Sequence, residues 1–258
     1  MAKPKRAILL AVVLALCAGC AKARPPAVAR ERGERTRAAA ALERRVRGII
    51  GATSSLKALA WMEIDSGEEG WRTDAAVVIA RPGRLRVDAM DALADVWASA
   101  GSDGRSMWLY VPGKRKLYEG RATPRNVARL AGFGIEPADL VSLMAGSPPL
   151  GEGDRVLEAS GRTFVFPGSG LRCTLLKGRI HRCVKPSDDD AGLDYEVSFD
   201  DYRRAGGVKL PHEIRASFPG RSSGLTLRYK ELELGGDIED EDFAPPRRRG
   251  IRTHRYSR

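Results

Sequence analysis

Residues 56–90 decide the fold: LKALAWMEID, then SGEEG, then WRTDAAVVIA, then RPG, then RLRVDAM. Three extended runs are separated by short clusters of Ser, Gly, Glu and Pro, the pattern of an antiparallel meander. The same pattern continues outward. Val96–Ala100 is followed by the turn Ser102-Asp103-Gly104, Arg105–Val111 by Pro112-Gly113, and Lys116–Glu119 completes the series. Further strands are predicted at Arg155–Ala159, Arg162–Phe166, Tyr195–Phe199, Val208–Phe218 and Gly224–Leu234. Phe243, behind the acidic run Glu239–Asp242, is placed to dock the end of the sheet. Such regular turn spacing predicts a mainly β domain whose antiparallel sheet curls or closes.

Two helical stretches interrupt this pattern. Between Thr123 and Gly146, Thr123 caps a helix with Pro124 at its first position, and Val127, Leu130 and Ala131 give it an apolar side. Gly132 and Gly134 break it, and Glu136-Pro137 opens a second piece carrying Leu140, Val141, Leu143 and Met144. Upstream, Glu34–Ile50 repeats apolar residues at Ala38, Leu42, Val46 and Ile49 and is stopped by Gly51. That narrow stripe suits packing on the following domain, with a membrane-surface role as the alternative.

Cys173 and Cys183 stand symmetrically about Gly178 in LRCTLLKGRIHRC. A hairpin turning at Lys177-Gly178-Arg179 sets them opposite each other, so a cross-strand disulfide is expected in an oxidising compartment. Metal binding with His181 is the rival, and it lacks a fourth ligand.

The first residues argue for export. Lys3, Lys5 and Arg6 precede an apolar run, Ala7–Leu16, that is too short to span a bilayer. Cys17-Ala18-Gly19-Cys20 then resembles the bacterial lipobox, with Cys17 where the third residue before the cut is usually Leu. The resemblance implies a signal peptide over 1–19, lipidation at Cys20 and a Pro-containing tether over 20–33. Ala21 and Lys22 follow, without the aspartate that retains some lipoproteins at the inner membrane, so an outer-membrane address is expected.

The net charge of +11 over 258 residues belongs to the ends. Ala21–Arg47 holds nine basic and three acidic residues, Arg247–Arg258 holds six arginines and no acid, and the body between them carries −4. A nucleic-acid-binding domain would line one folded face with positive charge, so this distribution excludes that class. Basic ends fit contact with anionic lipid or envelope polyanions, or serve only to solvate the termini. The tail 247–258 reads as disordered.

Catalytic and metal patterns are missing. The three histidines, His181, His212 and His254, have no nucleophile or carboxylate at a suggestive spacing, and there is no phosphate-cradling glycine loop and no H-E-x-x-H. Asp188-Asp189-Asp190 lacks the interleaved glycine and distant glutamate of a calcium loop. Neither an enzyme nor a cofactor is expected.

Three blocks carry a family resemblance: RPGRLRVDAMDALADVWASAGSDGRSMWLYVPGKRKLYEG (81–120), VARLAGFGIEPADLVSLMAGSP (127–148), and YEVSFDDYRRAGGVKLPHEIRAS (195–217) with LTLRYKELEL (225–234). Together they resemble the LolA/LolB lipoprotein-carrier superfamily, the match being nearer to LolB, the outer-membrane acceptor that is itself a lipoprotein. The resemblance implies a half-open β-barrel over 34–246 whose concave apolar face is covered by short helices. It further implies a cavity for lipoprotein acyl chains, with acylated lipoproteins and a periplasmic LolA-like carrier as partners; the alternatives are a carrier or sensor of another lipid, or a structural envelope lipoprotein whose barrel is filled by its own side chains. Trp61, Trp71, Leu85, Val87, Trp97, Trp108, Leu140, Leu143 and Met144 are the candidates for its interior or rim, each equally compatible with ordinary core packing. Asp91-Ala92-Leu93-Ala94 aligns with the family's N-P-L-G loop, whose leucine touches membrane. Leu93 matches and the other three positions differ; the alternative is that Leu93 is a buried strand-end residue.

Overall fold

The computed structural model describes residues 34–66, 70–187, 193–247 and 249–256. The expected signal peptide 1–19, Cys20, the tether 20–33 and Asp188–Asp190 lie outside the described residues. Helix α1 (Arg37–Ala52) comes first. A meander follows: β1 (Ser55–Asp65), β2 (Gly70–Ala80), β3 (Arg84–Met90), β4 (Val96–Asp103), β5 (Ser106–Val111) and β6 (Lys116–Arg121). Two short helices, α2 (Pro124–Ala131) and α3 (Pro137–Met144), separate it from a second meander. That one comprises β7 (Leu157–Ser160), β8 (Thr163–Phe166), β9 (Leu171–Leu176), β10 (Arg179–Pro186), β11 (Leu193–Ala205), β12 (Val208–Phe218) and β13 (Ser223–Leu234). A last strand, β14 (Arg252–Arg255), follows near the end of the described residues.

All fourteen strands belong to one curled, unclosed sheet, ordered β14-β6-β5-β4-β3-β2-β1-β13-β12-β11-β10-β9-β8-β7. The half-open barrel and its helical cover therefore match the fold expected from the sequence. Alternation sorts the side chains. Leu56, Ala60, Met62 and Ile64 of β1 are buried on the concave face, continuous with Ile79, Val77 and Ala75 of β2 through direct pairing.

Helix α1 starts where Thr36 Oγ1 accepts from Ala39 N at 3.0 Å. It runs past Gly51 to Ala52, where Thr53 Oγ1 donates to the Ile49 carbonyl at 2.8 Å. Its buried stripe is Ala39, Leu42, Val46 and Ile49, with Ala38 exposed. The stripe packs over β7 and β12, and a backbone bridge from Glu34 to Glu158 ties its entry to the β7 edge. The packing alternative for this helix is the one observed. Cys173 and Cys183 face each other across β9 and β10 and are joined in a disulfide.

The tail departs from expectation. Instead of being disordered, residues 252–255 pair in parallel with Lys116–Glu119 of β6. Arginine content obscured a strand whose alternate residues find partners. His254 and Tyr256 stack on Tyr118 at 5.3 and 6.0 Å, and Ile251 packs on the cluster Trp108, Tyr110 and Leu117. Arg252 and Arg255 remain exposed. The domain thus extends beyond Pro246. Among the described residues, no helix is long and apolar enough to cross a membrane.

Candidate functional site

The curl brings two rows of the first meander under α2 and α3. Strand register aligns Leu85 with Ser102 and Met107, and Val87 with Ala100 and Leu109. These rows, with Met62, Ile64 and Trp71 beside them and Leu225 from β13, form the floor of a cavity of about 150 Å³. Val127, Leu130, Phe133, Leu140, Val141 and Met144 form its roof. Apart from backbone and Ser102, every lining group is apolar, so the cavity can shelter hydrocarbon and offers little to a polar guest.

The roof is held at a few defined points. Thr123 caps α2, and Asn126 Nδ2 donates to the Arg121 carbonyl at 2.8 Å. Gly132 ends α2 at φ +83°, where a Cβ would meet Ser66 Cβ at 2.7 Å. Phe133 stacks on Phe218 at 4.3 Å, and Tyr229 Oη donates to the Met144 carbonyl at 2.6 Å. Arg81, immediately after β2, donates to Ser142 Oγ at 3.0 Å, Ser147 Oγ at 2.9 Å and Thr53 Oγ1 at 3.1 Å. One side chain thereby joins α1, α3 and the sheet. Desolvation pulls the Arg81 guanidinium down to about 10. Burial likewise raises the Asp139 carboxyl, in the first turn of α3, above its ordinary 3.8.

At the rim, the indole of Trp97 meets that of Trp71 edge-on at 5.6 Å and donates to Thr73 Oγ1 at 3.2 Å. A register shift opposite Ala89 and Met90 frees Trp97 from the alternation of β4, turning it to the cavity side. Leu93 stands in the β3–β4 loop, 83% exposed, near the partly exposed Val96 and Trp97. Asp91 Oδ1 builds this loop by accepting from Leu93 N at 2.8 Å and Asp95 N at 3.0 Å, with Ala94 at φ +63°. The altered residues therefore still form a tight loop that presents its leucine outward.

Trp71, Leu85, Val87, Trp108, Leu140 and Met144 line the cavity, and Trp97 stands beside it against Trp71, whereas Trp61 and Leu143 do not line it. Trp61 pairs with Asp74 and Arg228 on the outer face, with the Arg228 guanidinium 4.8 Å from its ring. Leu143 is buried in the core but does not line the cavity. Trp108 lines the cavity and is also tied to the C-terminal segment. Its Nε1 donates to the Phe243 carbonyl at 2.8 Å and its ring packs under the tail, across from Gly101, where a Cβ would meet the indole at 2.6 Å. Sequence reasoning favoured tryptophans and missed Met62, Met107, Leu109, Phe133 and Arg81. The strand parity of Leu85 and Val87, extended to Met107 and Leu109, carried the signal for two of them.

The histidines lie apart: His181 against Asp200 at 3.2 Å, His212 beside Tyr229, and His254 on Tyr118. Among the described residues, no group of three His, Cys, Asp or Glu side chains is placed to hold a metal ion.

Comparison with solved structures places this geometry. An outer membrane lipoprotein-sorting protein domain from Vibrio parahaemolyticus superposes with a TM-score of 0.52 at 14% identity, over 79% of this chain and 94% of that one. The chain shares the fold of that sorting domain. A DUF1329 family protein from Desulfovibrio piger gives a TM-score of 0.50 at 12% identity, covering 81% of this chain and 98% of its own. A LolA superfamily protein from Nitrosomonas europaea gives 0.48 at 13% identity, over 78% of this chain and 98% of that one. No protein-family model matches the sequence, and no curated protein matches it.

Proposed function

We propose that this protein is an envelope lipoprotein, held at the outer membrane through a lipidated Cys20, that shelters the acyl chains of other lipoproteins and takes part in their delivery and insertion. Acylated lipoproteins are its cargo and a periplasmic LolA-like carrier is its donor. No covalent chemistry is involved.

The observation that carries this reading is the apolar cavity beneath a roof of two short helices. Each acyl methylene costs about 0.8 kcal/mol to expose to water, so a carrier must offer apolar surface matched to its cargo. When α2 and α3 lift, Met62, Leu85, Val87, Met107 and Leu109 supply such surface. Leu93 and Trp97 at the rim provide an apolar edge on which a chain can pass into a bilayer. The likeness to a lipoprotein-sorting domain supports the same role.

Native mass spectrometry of the full-length protein, recovered gently from a bacterial envelope and then titrated with a triacylated lipopeptide, tests the proposal. A stoichiometric lipopeptide adduct is the expected result. An adduct with free phospholipid but none with lipopeptide reassigns the cargo, and refusal of both overturns the carrier reading.

A further inference from the structure

A second pocket, separate from the cavity under α2 and α3, lies between α1, the β9–β10 hairpin and the β11–β12 turn. Those two turns sit at the end of the sheet where β1 begins, and the Leu93 loop sits at the other end. The pocket holds about 540 Å³, within the ~300–1,000 Å³ of small-molecule sites. Leu42, Val46 and Ile49 of α1, with Ile180, Tyr202 and Val208, make its apolar floor. Four cations, Arg45, Lys177, Arg179 and Lys209, stand around it, and no carboxylate lines it.

The walls are fixed by contacts that leave the charge unneutralised. Arg45 donates to the Gly178 carbonyl and clips the hairpin tip to α1. The Arg179 guanidinium lies 5.4 Å from the Tyr202 ring, whose hydroxyl donates to the Ile180 carbonyl at 2.6 Å. Asp200, whose charge reaches Tyr202, is already engaged by His181 at 3.2 Å and Arg215 at 3.3 Å. Lys177, Arg179 and Lys209 have no carboxylate partner among the described residues. Leu176, adjoining the tip, is 47% exposed.

Cations of one sign converging over an apolar floor are complementary to an amphiphile with an anionic head and an apolar stem. We infer that this groove binds the headgroup region of an anionic phospholipid. The phosphate sits among Lys177, Arg179 and Lys209, and the glycerol and first methylenes lie on Ile180, Tyr202 and Val208. A purely polar anion would gain nothing from the floor, and a zwitterionic headgroup would set its own cation against the rim.

The test is titration of the full-length protein with dihexanoyl phosphatidylglycerol and dihexanoyl phosphatidylcholine, both below their micelle concentrations, followed by calorimetry and amide chemical shifts. Inorganic phosphate and a hexaglutamate peptide serve as comparison ligands. Phosphatidylglycerol is expected to bind at least about ten-fold more tightly than phosphatidylcholine, with shifts at Ile180, Tyr202 and Val208. The exposed-residue variant Lys177→Glu/Lys209→Glu should weaken it by about 25-fold or more, at roughly five-fold per cation. Its melting temperature and apolar-dye uptake should match the parent, and Lys177→Gln/Lys209→Gln should show a smaller loss in the same direction. Equal affinity for the two lipids overturns the inference, as does undiminished binding to a folded double variant. Phosphate or hexaglutamate binding as tightly as phosphatidylglycerol overturns it as well. None of these outcomes depends on what fills the cavity under α2 and α3.

Discussion

Arg81 reaches Ser142 Oγ at 3.0 Å, so the start of the β2–β3 connection holds the middle of α3 by a single cationic hydrogen bond, seconded by Ser147 and Thr53. A largely desolvated guanidinium is a costly way to hold a helix, and among the described residues no carboxylate pairs with it. What it supplies is a polar latch on an otherwise apolar roof. Such a latch releases as a unit, where an apolar contact loosens gradually.

Arg81→Met is therefore expected to free the roof while sparing the sheet. Losing the latch should raise hydrogen exchange at α3 amides by about ten-fold or more, the equivalent of roughly 1–2 kcal/mol in local opening. Exchange in β1 and β13 should hardly change, and an apolar dye should enter faster. Unchanged exchange in α3 would show that Phe133 and Tyr229 hold the roof without it.

Leu93→Glu should fold normally, because the side chain is 83% exposed and the loop is built by Asp91. Its melting temperature should correspond to a change within about 0.5 kcal/mol. Transfer of a fluorescent lipopeptide from the loaded protein to vesicles should fall at least about ten-fold, with loading unaffected. Normal transfer would remove Leu93 from the delivery route.

Ala94→Gly in the same loop should stabilise the protein. Ala94 adopts φ +63°, a conformation that costs a residue with a Cβ about 1 kcal/mol and costs glycine little. A rise in the denaturant midpoint with an unchanged slope is the expected reading.

Glu43 sets an acid limit. Its side chain is nearly buried and accepts from Arg35 at 2.7 Å. That bond holds its carboxyl at about 2 against an ordinary 4.5; burial opposes the shift, and the Val156 amide and Arg47 assist it. Because the folded value is the lower one, the stabilisation is complete above about 4.5 and is lost as pH falls towards 2. Melting temperature measured between pH 6 and 2 should decline across that window, and Glu43→Gln should flatten its share of the decline. An identical slope in the variant would assign the acid sensitivity elsewhere.

Much of this architecture was legible because turns and alternation are local properties. The strands of the first meander, the split helix at Gly132–Glu136 and the Cys173–Cys183 pairing all follow from neighbours within about a dozen residues. Facing was less legible. Alternation places Trp61 and Met62 on opposite sides of β1 without saying which side becomes concave, so the larger residue drew the cavity assignment. The order of the tail is hidden for a related reason. Six arginines dominate its composition, but its order depends on Tyr118 and Leu117, more than a hundred residues upstream. Arg81 carries no local mark at all, since its three hydroxyl partners are distant in sequence.

Every neighbouring pair in the sheet is a hairpin or sequential pair except β14 with β6 and β1 with β13. Two ribbons, β1–β6 and β7–β13, can therefore zip from their own turns, while joining them requires Leu56 to find Leu234 and Ile64 to find Leu225. Contacts so distant form slowly, because the intervening chain must be gathered first. Until that seam closes, both ribbons carry a bare apolar face, in the state most prone to stick to a bilayer or to another copy. The closing of one central seam thus ends the exposure of both apolar faces at once.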